Sequence, residues 1–162
     1  MRNKCMRIPL VVFMLLVGTP VIPASLHKAQ SKTEYFVEIS APDKSGLQRG
    51  KGMNVEGKAI LRGGDHLWVF CRREDFEGVW VPQGEGKIDP DTKQWKVAVN
   101  FGEAQDVGWN FDIAVITVKD EEHIKLARYR IDAMRTSKWM PIEMPETTMP
   151  PQFRKVKKVS HD

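Results

Sequence analysis

The sequence lacks any apolar run long enough to cross a membrane. Its longest apolar stretch is residues 8–17, about half of the ~20 residues that a helix needs to span a bilayer. Arg2, Lys4 and Arg7 precede this stretch, and Ala24 follows it as a small residue that a signal peptidase could read. This arrangement is typical of a segment that directs export.

We therefore predict that residues 1–24 are a secretory signal peptide. Residues 25–34 are polar and lack periodicity, which predicts a short flexible leader. The mature protein is expected to be secreted or periplasmic and to carry no transmembrane anchor. Its length suits a single domain, which we place at residues 35–159.

Cysteine is almost absent, which excludes a disulfide framework. Cys5 lies in the predicted signal peptide, so Cys71 is the only cysteine of the mature chain. No cysteine follows the apolar run at the place where lipid attachment would need one. Cys71 shares one face of a predicted strand with Leu67 and Val69, and an unpaired thiol in an exported protein is either hidden or paired between chains. We predict a buried structural thiol.

An excess of positive charge is also lacking. The sequence has 25 basic and 21 acidic residues, but three of the basic ones belong to the predicted signal peptide, which leaves 22 against 21. A nucleic-acid partner is therefore not expected. The remaining basic cluster is predicted to be a last edge strand whose lysines block edge-to-edge pairing, with contact to an anionic lipid or polymer as the alternative. This cluster consists of Arg154, Lys155, Lys157 and Lys158.

Sequence patterns of known catalytic sites are missing. No serine or cysteine stands in a nucleophile turn, and no two histidines have the spacing of a zinc-protease helix. His66 follows Asp65 at a strand start, and His123 falls in the first turn of a predicted helix. We predict that the protein is not an enzyme and needs no cofactor. A small hydrolase is the alternative, because carboxylate pairs are set by the fold and not by spacing.

The sequence does contain a series of short strand patterns separated by turn residues. The clearest spans residues 94–101, where Trp95, Val97, Val99 and Phe101 alternate with polar or small residues. Pro82 cannot donate to a ladder and predicts that its own short strand lies at an edge. Other strands are predicted at 35–39, 53–61, 66–73, 79–81, 111–118 and 153–159, with a loop over 83–93.

The hydrophobic period becomes helical after residue 119. Asp120 is predicted to be the N-cap of a single amphipathic helix over about residues 121–136, whose apolar side packs on the β core. The apolar positions on that side are Ile124, Ala127, Ile131 and Met134. Short strands with one late helix predict a mainly β protein, an antiparallel immunoglobulin-like sandwich. A partly open five-stranded barrel is the alternative.

Five segments carry a resemblance when they are read in order. They are Gly-Lys-Ala at 57–59, His-Leu-Trp-Val-Phe at 66–70, Trp-Val-Pro-Gln-Gly at 80–84, Trp-Lys-Val-Ala-Val at 95–99 and Asp-Val-Gly-Trp-Asn-Phe-Asp-Ile at 106–113. The order resembles an uncharacterised immunoglobulin-like domain of exported bacterial proteins, which also occurs beside unrelated enzymatic domains. The resemblance covers roughly residues 35–135. It implies a β-sandwich, no catalytic residues, and a binding role by analogy.

Two tryptophans mark a candidate binding surface. Trp80 lies on the short edge strand beside Gln83, and Trp109 follows Asp106 at a strand entrance. An aromatic face beside amide and carboxylate groups suits stacking on a sugar ring or gripping a peptide. We predict that these four residues form a rim that binds a protein or glycan partner. The alternative is that both indoles plug the ends of the sandwich.

A Pro- and Met-rich strap over residues 139–151 allows a further interpretation. Met140, Met144 and Met149 are each followed by proline. Exported thioethers are soft ligands for Cu(I), so an exported copper handler is an alternative function. Packing of the methionines onto the domain is the preferred interpretation, because methionine fills irregular gaps readily. No metal site is therefore predicted.

One acidic turn has the opening of a calcium loop. Asp89 and Asp91 have suitable spacing, but the later glycine and glutamate of such a loop are missing. We predict an ordinary turn in which an aspartate side chain caps the backbone.

Overall fold

A computed structural model describes residues 34–43 and 46–162. The predicted signal peptide, and the predicted leader as far as residue 33, lie outside the described residues. The described chain has nine strands, a 3₁₀ turn (Ala104–Asp106) and one α-helix. In chain order these are β1 (Phe36–Ala41), β2 (Gly46–Gln48), β3 (Gly52–Ile60), β4 (Asp65–Arg73), β5 (Val79–Glu85), β6 (Gln94–Asn100), β7 (Asn110–Lys119), α1 (Asp120–Thr136), β8 (Ile142–Glu143) and β9 (Gln152–Lys158).

The strands form two separate sheets. One has the order β1-β3-β6 and the other the order β2-β9-β7-β4-β5-β8. Pairing is antiparallel except between β2 and β9, which run parallel. The predicted mainly β sandwich with one late helix is confirmed, and the five-stranded alternative is not found.

A hydrophobic core fills the space between the sheets. Trp95, Val97 and Val99 of β6 are buried there, as their alternation predicts, while the residues between them are exposed. Val69 and Cys71 of β4 meet them from the other sheet. Burial raises the pKa of the Cys71 thiol far above its ordinary value, with a smaller contribution from the charge of Asp112. The predicted buried thiol is confirmed.

The helix α1 covers the outer face of the larger sheet with a side that only partly matches the predicted one. Leu126 and Ala133 are buried and Ala127 is half-buried against the same cluster, whereas Ile124, Ile131 and Met134 are exposed. The helix is apolar on two sides, and Leu126 is the residue that packs among the aromatic side chains on the outside of β4 and β5. Helical periodicity alone does not say which apolar side meets the sheet. In the described part of the chain, no helix is both long and apolar enough to span a membrane.

The helix also begins one residue earlier than predicted, at the residue that was expected to be its cap. Lys119 occupies the N-cap position, and Asp120 is the first helical residue. The carboxylate of Asp120 bonds instead to the ring of His66, with Oδ1 2.8 Å from Nε2. A long-range partner has therefore replaced the local capping bond.

The prediction that the last strand lies at a sheet edge is wrong. β9 is not an edge strand, because β2 pairs with its second half, and Lys158 is fully buried. The Lys158 ammonium donates to the carbonyl oxygens of Phe101, Gly102 and Glu103, so it is not part of an exposed cationic surface.

β5 is longer than predicted and continues through Pro82 to Glu85. The pairing of β4 with β5 shifts register between Val69 and Phe70, next to Pro82. On its other side, β5 pairs with β8 only at Val79 and Trp80. Because of this bulge and this open edge, the missing proline N–H costs the ladder little.

Candidate functional site

A cleft of about 720 Å³ lies between the edges of the two sheets. Strand β5 lines one side and strand β6 the other. The strand residues along it include Val79, Val81, Gln83, Ala98, Val99 and Asn100. Apolar clefts with a few polar groups are the usual form of a binding site.

The edge of β6 is open on the side away from β3. At one end of β6, the C=O of Gln94 accepts the N–H of Asp89 at 2.9 Å. At the other end, the N–H of Asn100 donates to Gln83 Oε1, also at 2.9 Å. Strand backbones alternate with a period of two, so Lys96 and Ala98 direct their N–H and C=O groups to this same side. β6 is the last strand of its sheet, and no described strand pairs with these groups.

Gln83 joins the two walls of the cleft. Its Oε1 accepts the Asn100 N–H of β6, and its Nε2 donates to the C=O of Val81 on its own strand at 3.2 Å. Both halves of the amide are therefore used. The side chain that the sequence suggested as a binding group holds the sheets together at the base of the cleft.

Two exposed aromatic side chains lie along the cleft. Phe76 comes from the β4–β5 turn and Trp139 from the segment after α1. The Trp139 ring lies 6.5 Å from that of Tyr129 on α1, and the Tyr129 hydroxyl donates to the C=O of Met140 at 2.8 Å. These contacts hold the start of the strap against the helix. Sequence reasoning missed both aromatic residues, because neither lies in a periodic pattern.

Arg73 organises the wall of the cleft near the 3₁₀ turn. Its Nε and Nη2 donate to the two carboxylate oxygens of Asp75 at 2.7 and 2.8 Å, and its Nη1 donates to Asp106. The guanidinium also lies 4.9 Å from the ring centre of Phe76 and 4.7 Å from that of Trp109. These contacts are typical of cation–π pairs.

The pKa values of this cluster reflect the ion pairs. The hydrogen bonds that Arg73 donates to Asp75 and, to a smaller extent, to Asp106 raise the pKa of Arg73. The same bond to Arg73 lowers the pKa of Asp75. The guanidinium is satisfied within the protein, so it is not a free cation that would capture an anionic ligand.

Asp106 has a structural function in this wall. Its Oδ2 accepts the N–H of Glu103 at 2.7 Å and closes the 3₁₀ turn. Gly102 approaches this carboxylate so closely that a Cβ would collide with Asp106 Oδ2, and its φ of +67° also favours glycine. The turn and the arginine together fix the loop that borders the cleft.

The structure brings together three of the four predicted binding residues. Gln83 and Asp106 line the cleft, and Trp109, which is 38% exposed, is linked to it through Arg73. Trp80 is only 6% exposed and packs in the core beneath α1, with the Arg72 guanidinium 4.3 Å from its ring centre. The expected exposed rim therefore does not include the Trp80 ring.

The methionines of the strap have different environments. Met140 is exposed, Met149 is half-buried, and Met144 packs against the core beneath α1. For Met144 this is the packing role that the sequence favours. The only histidine, cysteine and carboxylate side chains that converge as metal ligands within the described residues are His66, Glu85 and His123.

The acidic turn after β5 is an ordinary one. Asp89 Oδ1 accepts the N–H groups of Asp91 and Thr92 at 3.0 and 2.8 Å, together with the Thr92 hydroxyl. The bonds from Thr92 lower the pKa of Asp89. The predicted side-chain-capped turn is confirmed.

Comparisons with known proteins give little guidance. No known family and no curated protein matches the chain. Among solved structures, that of murine CRIg is similar over 80% of this chain and 99% of its own, with a TM-score of 0.32 and 6% identity. A likeness at that level supports no statement about function.

Proposed function

We propose that this protein is an exported, non-enzymatic binding module whose cleft takes an extended segment of a protein partner along β6. The observation that carries the proposal is the open backbone edge of β6 beside an apolar cleft. A peptide strand added to such an edge gains ladder hydrogen bonds, and pockets for alternate side chains give it specificity. Lys96 and Ala98 supply the outward N–H and C=O groups of that ladder.

The lining of the cleft favours a peptide over a glycan. Val79 and Val81, both half-buried, offer apolar contacts to the side chains of a bound strand. Phe76 and Trp139 add exposed aromatic surface, the residue class that contributes most to protein interfaces. A sugar would need polar groups free to bond its hydroxyls, yet the Gln83 amide is already occupied on both sides.

The two arginines of the cleft do not select the partner, and the other charged residues that line it, apart from Asp106, are one of each sign, Lys51 and Glu103. Arg72 donates to Asp112 through Nε and Nη2, both at 3.1 Å, and Arg73 is held by its own carboxylates. Recognition would therefore depend on backbone pairing and shape. Weak dependence of affinity on salt is the expected consequence.

Export and family membership are parts of the same proposal. The basic start of the sequence followed by a short apolar run supports a signal peptide. The ordered segments that resemble an immunoglobulin-like domain of exported bacterial proteins support an accessory binding role. Neither feature identifies the partner.

Amide hydrogen exchange measured by NMR tests the open edge directly. The amides of Lys96 and Ala98 should exchange quickly in the free protein, whereas those of Val97 and Val99, which point toward β3, should be protected. A peptide selected from a random library against the protein should slow the exchange of the Lys96 and Ala98 amides by at least about tenfold. Strong protection of Ala98 without any peptide would contradict an open edge.

A pair of variants at one position then distinguishes peptide from glycan. Ala98→Pro removes the outward N–H and should abolish peptide binding, because a proline at this position leaves the ladder with β3 intact. Ala98→Ser keeps that N–H and should bind the peptide with unchanged affinity. Equal peptide affinity in the two variants, or saturable binding of an oligosaccharide instead, would contradict strand addition.

A further inference from the structure

Two histidines and a glutamate converge where β4, β5 and α1 meet. His66 and Trp68 lie on the same face of β4, and Glu85 of β5 pairs with Trp68. The docked helix brings His123 onto this face, where its ring stacks on that of His66 at 3.8 Å with an angle of 11° between the planes. Sheet register and helix docking thus assemble a group that is scattered in the sequence.

The two rings present nitrogen atoms to one carboxylate oxygen. Nδ1 of His66 lies 3.4 Å from Glu85 Oε1, and Nδ1 of His123 lies 4.0 Å from the same atom. Each of the three residues offers one ligand atom, and these atoms lie within 4.8 Å of one another. Two ligands of a tetrahedral zinc ion, each about 2.0–2.1 Å from the metal, are about 3.4 Å apart. The first pair has this separation. Coordination by His123 requires its ring to turn out of the stack with His66, because the nitrogen lone pairs lie in the ring planes.

Asp120 favours the tautomer of His66 that a metal requires. Its Oδ1 lies 2.8 Å from His66 Nε2, so the neutral imidazole carries its hydrogen on Nε2 and donates it to the carboxylate. The lone pair is then on Nδ1, the atom that faces Glu85. A carboxylate that orients a histidine from behind is the usual support of a histidine ligand.

Facing lone pairs on Nδ1 and on a carboxylate oxygen need a positive species between them. Either a proton on His66 or a metal ion supplies it. His123 favours the metal, because it places a second nitrogen 4.0 Å from the same oxygen. Without a metal, its Nδ1 lone pair accepts the Trp68 Nε1–H at 3.2 Å, and coordination would replace this bond.

We propose that His66, Glu85 and His123 bind one divalent ion of the zinc class, with Asp120 as the supporting carboxylate. Two imidazoles and one carboxylate are a donor set suited to Zn²⁺. The three side chains are half-buried, so an ion can reach them without unfolding the protein. Water fills the remaining coordination position, and the ion ties the start of α1 to the ends of β4 and β5.

Isothermal titration of the purified full chain with Zn²⁺ tests the proposal. We expect one ion per chain, with affinity reduced about 100-fold or more in His66→Gln, Glu85→Gln and His123→Gln. Asp120→Asn should lose about tenfold, because such supporting carboxylates typically contribute that much. His161→Gln, the same substitution outside the cluster, should bind as the unaltered chain does.

The NMR signal of the Trp68 indole N–H supplies a second readout. It would not respond to zinc if the three residues had only a structural role. Coordination through His123 Nδ1 removes the acceptor of the indole, so its signal should shift with zinc and stay fixed in His66→Gln. Circular dichroism of each variant without metal establishes that it is folded. Absence of saturable zinc binding, or binding that persists unchanged in folded His66→Gln, would overturn the proposal and leave a proton as the species shared by the cluster.

Discussion

The side-chain oxygen of Gln83 on β5 accepts the backbone N–H of Asn100 on β6 at 2.9 Å. This bond crosses from one sheet to the other at the base of the cleft. It satisfies the last outward N–H of β6, while Lys96 and Ala98 keep theirs available. One glutamine therefore determines where the open edge of β6 ends.

Replacement of Gln83 should loosen this junction. Gln83→Ala removes two hydrogen bonds and should lower the free energy of unfolding by about 1–2 kcal/mol. Gln83→Glu keeps an acceptor for Asn100 and should cost less. Urea denaturation measures both effects, and Gln94→Ala on the exposed side of β6 is the control. Equal stability of Gln83→Ala and the control would show that water replaces the amide without loss.

The two tryptophans of the predicted rim should respond differently to truncation. Trp80→Ala empties a buried site beneath α1 and should lower the free energy of unfolding by about 3–5 kcal/mol. Trp109→Ala removes a partly exposed ring and its contact with Arg73, for which about 1 kcal/mol is expected. Chemical denaturation of both variants checks this difference. Similar losses at the two positions would contradict the burial on which it rests.

Strong local patterns were enough to predict the longer strands, whereas the short strands β2 and β8 were missed and β5 was predicted too short. In β6, Trp95, Val97 and Val99 alternate with exposed residues, and only one orientation buries all three. In α1 the pattern is ambiguous, because Leu126 and Ala133 have the same seven-residue spacing as Ile124 and Ile131. The outer face of the sheet decides which pair is buried.

The sites depend on relationships that a single sequence does not contain. The cleft arises because β5 and β6 become neighbouring edges of different sheets, and Trp139 reaches it only through its contact with Tyr129. His66, Glu85 and His123 meet through strand register and helix docking. In none of these cases does the distance along the sequence indicate that the residues lie close together in the fold.

Burial of Cys71 should make stability fall at high pH. The folded state keeps the thiol protonated above its ordinary pKa of 9.0, whereas the unfolded chain releases the proton there. The unfolded state then binds fewer protons, so the free energy of unfolding should decrease by about 1.4 kcal/mol per pH unit above that value and stay unaffected below it. Subtracting the stability curve of Cys71→Val from that of the unaltered protein isolates this effect. A flat difference between about pH 8 and about pH 10.5, which brackets the ordinary thiol pKa, would contradict it.

Lys158 should stabilise the loop that borders the cleft. Its buried ammonium donates to the carbonyl oxygens of Phe101, Gly102 and Glu103, and the same loop carries Asp106. Lys158→Met keeps much of the length and removes the donor, so these carbonyls lose their partner. We expect a loss of about 2–3 kcal/mol in the free energy of unfolding.

Lys157→Met is the matched control, because Lys157 is the exposed neighbour on the same strand. It should change stability by less than about 0.5 kcal/mol. The loop also positions Asp106 against Arg73, so Lys158→Met should speed amide exchange at Glu103 and Asp106 more than at residues in the centre of β7. Equal denaturation midpoints for the two variants would mean that the desolvation cost of the buried ammonium offsets its three hydrogen bonds.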